Sequence, residues 1–258
     1  MDGTRPGGGR GQAMVEFLIV FPVLILLVLG TFQFALIYQA KVTLNYAAFE
    51  AARAGSTGHA RLEPMANAFA RTMAAIHTHE EGLPASFAVG GDPDYRGLLW
   101  ARQRLRDQME AGLVNITLVN PGPASFAEHG IDVGGDRLIP NDNLMYRDGR
   151  HDNKPLSQQS IQDANLLKIH VGYCFEMIVP FVNRVIWGII ALAPGDDSNR
   201  VNRNMVPDEA RRGGPPPGTF QQACLDRTTD EYGNDRFFGM PIYSQSIMRM
   251  HTDPIQEP

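Results

Sequence analysis

The chain has 258 residues, room for one ordinary domain or two small ones. A hydrophobic content of 43% is enough for a core and excludes wholesale disorder, and a net charge of −5 disfavours a general nucleic-acid binder. Two cysteines exclude a zinc-finger array and a disulfide-dense scaffold, while 26 Gly and 18 Pro predict long turns and loops.

The apolar sequence is concentrated early. Phe17 to Ala40 carries no charged residue. As a helix that run is ~36 Å long, more than the ~30 Å of a bilayer core. A transmembrane segment at about 15–40 is expected, with Pro22 inside it and Tyr38 where an interfacial aromatic would lie. The run exceeds the usual h-region of a signal peptide, and no A-x-A site follows it at the right distance, so removal of the whole segment is not expected. Arg5 and Arg10 precede the span and Lys41 follows it, a slight bias. The short N-terminal tail favours the inside, which leaves the large polar remainder outside the cytoplasmic membrane.

Glu16 is anomalous. An acid at the lip of an apolar span costs energy unless a helix dipole or a cationic partner compensates it. The stretch Gly11-Gln12-Ala13-Met14-Val15-Glu16-Phe17 leads straight into the apolar run. A glycine, four residues, then Glu and an aromatic resembles the processing site of type IV prepilins, and more narrowly that of the Tad (type IVc, Flp) pilus branch. The resemblance implies cleavage by a prepilin peptidase between Gly11 and Gln12, with 1–11 as a leader and Gln12 as the new N-terminus. It also implies that Glu16 and Phe17 serve assembly and register. Cutting creates an α-amine on Gln12, and Glu16 follows it at the i+4 spacing. In a filament the carboxylate would meet the amine of a neighbour or of its own chain. Setting register is the best-attested use of such buried pairs.

Leu44 to Ser56, LNYAAFEAARAGS, resembles the end of the TadE-like N-terminal region, with Ala51, Ala52, Arg53 and Gly55 at the signature positions. Alanines favour helix and close approach, Arg53 suits a helix C-terminus, and Gly55 suits the C′ position just past it. One helix over 12–55 is therefore expected.

The remainder, 56–258, reads as a periplasmic α+β domain. Leu62, Met65, Ala66, Phe69, Met73 and Ile76 recur at helical spacing and predict an amphipathic helix at 61–77. His77, His79, Glu80 and Glu81 follow, but the i,i+2 spacing sets the histidines apart on a helix, so no metal site is expected. A second helix is expected at 95–111, with Leu98, Ala101, Leu105 and Met109 inward and Arg102, Arg104 and Arg106 on a solvated face. Val114–Leu118 alternates as a strand. A loop at about 120–163 follows. Its NDNLMYRDGRHDN segment has acids but not the EF-hand order, and reads as a polar loop. Leu167, Ile169, Val171 and Tyr173 alternate in a second strand, with His170 on the other face. Val185 to Ala193 is too short for a second span and reads as an amphipathic helix against the sheet or the membrane surface. The stretch 194–237 reads as a long insertion, and Met240 to Met250 as a returning strand. Cys174 and Cys224 are candidates for a disulfide that clamps the insertion; two separate thiols are the alternative.

No Gly-x-Ser-x-Gly elbow, Gly-Lys-Ser/Thr phosphate loop, H-E-x-x-H or Cys-x-x-Cys occurs, and neither catalysis nor a cofactor is expected. The expected architecture is α+β: a long transmembrane, pilin-like helix, then two helices on a small antiparallel sheet with long loops. The resemblance implies a TadE-like minor pilin or pseudopilin of a Tad pilus system, single-pass in the bacterial inner membrane, with its N-terminus cytoplasmic. Implied partners are the prepilin peptidase, other Tad minor pilins, the major Flp pilin, the inner-membrane assembly platform and the lipid bilayer. The alternative is an uncleaved, membrane-anchored periplasmic assembly or binding factor.

Overall fold

The computed structural model describes residues 10–77, 93–150, 156–192, 217–226 and 238–256. Expectations that fall on 1–9, on His79, Glu80 and Glu81, and on most of 194–237 lie outside these residues.

Helix α1, Arg10–Thr57, has 48 residues, a rod of ~72 Å. Its two halves live in different surroundings. The large side chains from Met14 to Val28 are all exposed, whereas Ala40, Leu44, Ala47, Ala48, Ala51 and Ala52 are buried. The buried half packs against α2 (Leu62–His77) and against a sheet, with α3 (Pro93–Glu110) on the far side of α2. Alanines on the inward face let the backbones approach. The stripe of Met65, Phe69 and Met73 on α2 is fully buried against them.

The sheet has three antiparallel strands: β1 (Val114–Asn120), β4 (Leu166–Glu176) and β5 (Gly239–Arg249), with β4 in the middle. The register sets Ile116 opposite Val171 and Leu118 opposite Ile169, so one face of β1 and β4 is continuously apolar. Leu167, Ile169, Val171 and Tyr173 join the α1–α2 core. His170 points the other way and stacks on Tyr243, with ring centroids 5.5 Å apart. Beyond it on that outer face lies α7 (Pro217–Asp226), held by the Cys174–Cys224 disulfide, whose Cα atoms are 5.6 Å apart. Phe220 of α7 rests on Gly172: a Cβ there would come within 2.8 Å of the ring. Burial in this second cluster pushes the Tyr243 hydroxyl up to about 12.

Three findings depart from the sequence expectations. First, the stretch expected as a loop at 120–163 carries short elements: α4 (Pro123–His129), a hairpin of β2 (Ile131–Val133) and β3 (Asp136–Leu138), a 3-10 turn at Leu144–Tyr146, and α5 (Ile161–Ala164). They surround a small core of their own, Phe126, Ile139, Leu144, Ile161 and Ala164. Two acids of this stretch are engaged internally: Asp142 with Arg147 at 2.6 Å and Asp148 with Arg150 at 3.1 Å. Second, Arg104 is not on a solvated face. It is buried, with its guanidinium 5.3 Å above the Trp100 ring. Third, Gly55 is not past the end of α1 but inside it, and buried. A Cβ there would lie 2.7 Å from Met65 Sδ and 2.8 Å from Leu167 Cδ2. Its role is close approach between α1, α2 and β4. The reversal after α1 is made instead by His59 and Ala60, both at positive φ. The Gly55 carbonyl accepts from the Ala60 amide at 2.9 Å, and the Ser56 carbonyl is satisfied by the segment after β5, where the amides of His251 (2.9 Å) and Thr252 donate to it.

After β4 and a five-residue link comes α6 (Val182–Leu192), which packs beside α1.

Candidate functional site

The candidate site is the exposed half of α1. Nothing in the described fold covers Phe17, Leu18, Ile19 or Val20, and Phe17 is 61% exposed with its ring stacked on Phe21, centroids 4.9 Å apart. Such a surface is not stable in water. Its polar groups are few. The Thr31 hydroxyl donates back to the Leu27 carbonyl at 2.9 Å, the usual way to satisfy a hydroxyl inside an apolar helix. Glu16 is exposed at the start of this surface.

Gly11, Gln12, Glu16 and Phe17 all fall on the first two turns of α1. Gln12 and Glu16 are one turn apart, a rise of ~6 Å. The second group of expected residues is remote. Ala51, Ala52, Arg53 and Gly55 lie some thirty-five residues further on, ~50 Å along the same rod. Ala51 and Ala52 are fully buried in the domain core. Arg53 is exposed and 3.9 Å from Glu50, a weak surface pair. The two groups therefore form separate stations, one on the bare end of the rod and one where it enters the domain. Cys174 and Cys224 belong to neither; they lie on the outer face of the sheet.

Gln33 was not singled out by the sequence reading. It sits in the uncharged run, yet it is fully buried, and its Oε1 accepts from the Val179 amide at 3.0 Å. The only signal for it in the sequence is an amide among aliphatic residues. Where α1 enters the domain, Lys41 Nζ donates to the Tyr243 carbonyl, and Ser244 donates to Asn45 Oδ1 at 2.9 Å. Among the described residues there is no group of three or more His, Cys, Asp or Glu that could hold a metal ion.

The fold defines a protein in which, among the described residues, one helix is long and apolar enough to cross a membrane, and that helix is continuous with the core of a small α+β domain. Residues 11–53 match the family model described as TadE-like protein. The chain is thus TadE-like over the first station, the bare rod and most of the second, which associates it with the Tad pilus system. No curated protein and no solved structure matches it.

Proposed function

We propose that the protein is a minor pilin or pseudopilin of a Tad-type pilus, acting in assembly by helix packing. In this reading it inserts into the inner membrane with its N-terminus in the cytoplasm and its α+β domain in the periplasm. The prepilin peptidase then cuts after Gly11, and the freed Gln12 amine becomes a partner for a carboxylate at position 16. On assembly, the apolar half of α1 exchanges lipid for the helices of other minor pilins and of the major Flp pilin, at the membrane platform. The role is structural, and no residue is assigned to catalysis.

The observation that carries this reading is the division of α1. One continuous helix has its second half built into a domain core and its residues from Met14 to Val28 uncovered, with a single acid near the start. A helix that served only as a tether has no need of rigid continuity with the domain. A helix that must hold a domain at a fixed height and angle in a fibre does. The TadE-like match over 11–53 supports the association with the pilus system.

One observation favours the rival, an uncleaved anchor: Gly11 lies within α1, so its peptide bond is accessible to a peptidase only when the first turn frays. The intact mass of the protein extracted from membranes of cells with an active prepilin peptidase decides. A chain beginning at Gln12 is expected, and one beginning at Met1 refutes processing.

A further inference from the structure

The second contact between the domain and the membrane segment of α1 is made by α6 and the link before it. That link, 177–181, leaves the sheet and meets α1 at Gln33. Several of its backbone groups find partners within the protein. The Met177 amide donates to the Phe238 carbonyl at 3.0 Å, and that of Val179 to Gln33 Oε1 at 3.0 Å. The Val182 amide reaches the Pro180 carbonyl at 2.8 Å, and Asn183 Nδ2 the Met177 carbonyl at 3.3 Å. Irregular backbone that meets its partners within the protein is what a low-water environment demands.

The height of this contact follows from the helix rise. If the hydrocarbon begins at Phe17, Gln33 is sixteen residues further, ~24 Å into a core of ~30 Å. The Gln33–Val179 contact therefore lies just inside the domain-side edge of the bilayer, and α6 beside it is at the level of the headgroups and upper acyl chains.

The exposed face of α6 matches that level. Val185 and Ile189 (64% exposed) recur at i and i+4 on α6, and Phe181 (73%) and Ile178 are exposed in the link before it, while Val182 is buried and Ile186 and Trp187 pack on the core. Phe181 adopts φ +67°, costly for a bulky residue, and so keeps its ring outside the fold. Tyr38 of α1 is exposed as well, and α6 packs beside α1.

We propose that α6 is an interfacial helix, clasped to α1 through Gln33, that buries Ile178, Phe181, Val185 and Ile189 in the domain-side leaflet of the bilayer and so fixes the domain against the membrane surface. The inference rests on α1 spanning the bilayer. Its occupant is lipid, because these side chains lie at a depth where a spanning α1 already brings lipid, and a helix of this kind binds by apolar area at the headgroup boundary.

The test uses the full chain in vesicles of three parts phosphatidylethanolamine to one part phosphatidylglycerol. Single nitroxides are placed on Val185→Cys, Ile189→Cys, Leu24→Cys and Tyr146→Cys; the native cysteines are bonded to each other and stay silent. Collision rates are read with oxygen, which partitions into lipid, and with a neutral nickel chelate, which stays in water. The expected result is that labels at 185 and 189 favour oxygen at least tenfold over the label at 146, and less than the label at 24. Lipid contact at 24 with water contact at 185 and 189 overturns the interfacial helix and leaves the anchor standing. Water contact at 24 overturns the spanning reading and this inference with it. Labels at 185 and 189 that are aqueous in vesicles but become shielded once other pilus subunits are added identify a protein occupant, and also overturn it.

Discussion

At Gly55 only a hydrogen atom fits. The nearest atoms, Met65 Sδ and Cγ and Leu167 Cδ2, belong to side chains that are themselves buried and would have to shift to admit a Cβ. An alanine gains ~1 kcal/mol of helix propensity but loses more to crowding against these buried atoms, so Gly55→Ala should destabilise by ~1 kcal/mol. Gly55→Val adds two further methyl groups and should destabilise by ~2 kcal/mol, read as a lower thermal midpoint of the disulfide-intact chain in detergent. Glu16 has the opposite character, with nothing packed on it. Glu16→Leu removes a charge that opposes insertion. Carbonate-resistant membrane association should therefore be unchanged. Incorporation into sheared pili should fall at least tenfold, since breaking a buried pair costs ~3 kcal/mol or more. Normal incorporation would remove the assigned role of the acid. Glu128 supplies a pH-dependent contact. Its partial burial favours the neutral acid, but hydrogen bonds from the Ser157 hydroxyl and from the Leu156 and Ser157 amides, with the charge of His129, outweigh this and lower its pKa. A carboxylate whose folded pKa is depressed stabilises fully above the ordinary glutamate value, and that contribution is lost as pH falls through the lower, folded value. Amide shifts of Leu156 and Ser157 should titrate with a midpoint below that of a free glutamate, and should not move in that range in Glu128→Gln.

Among the elements, α7 depends most on one covalent contact. It meets the outer face of the sheet through Phe220 and Cys224, ten residues that could not hold a helix in isolation. The bridge spans 50 residues of chain. Replacing Cys174 and Cys224 together with serine should cost up to ~4 kcal/mol in the chain-entropy account. The same change should open 217–226 to limited proteolysis while the α1–α2 core stays resistant. The elements that were legible in the sequence are those whose own period declares them: α2 from its Met/Phe stripe, β4 from Leu167 to Tyr173, α1 from its length. Those that were not are short and held by contacts distant in sequence. α5 has four residues; its Ser160–Asp163 capping pair is local, but its end is held by the buried Asn165 side chain, which donates to the Pro140 carbonyl at 3.0 Å. No window of sequence contains that pairing. The same division runs through the candidate site. Glu16 stands out because a charge in an apolar setting is visible locally. Gln33 acquires meaning only from Val179, 146 residues away. Gly55 was legible as a special glycine, but helix-end chemistry and close packing make the same demand of a sequence, and only the neighbours Met65 and Leu167 tell them apart.

For the molecule as a whole, the decisive feature is that anchor and core share one helix. Leu44, Ala47, Ala48, Ala51 and Ala52 form one wall of the main core, facing Met65, Phe69, Ile169 and Val171. A force or tilt applied to the bare half of α1 is therefore transmitted to the domain without a hinge, apart from whatever bend Pro22 introduces within the span. Two truncations separate a shared element from a tether. Deleting residues 1–32 keeps Gln33 and the whole inward face of α1. The remaining chain, in mild detergent to cover α6, should unfold cooperatively with a midpoint within about 5 °C of the full chain. Deleting residues 1–57 removes the wall. Each lost side chain is small, but together they expose the inner faces of α2 and β4 to water, and no rearrangement of two helices and three strands restores that burial. This chain should show no cooperative thermal transition by circular dichroism. If it instead melts near the midpoint of the longer one, α1 is only a leash on an independent domain. The rigid continuity from which a pilin-like role is argued would then have no energetic basis.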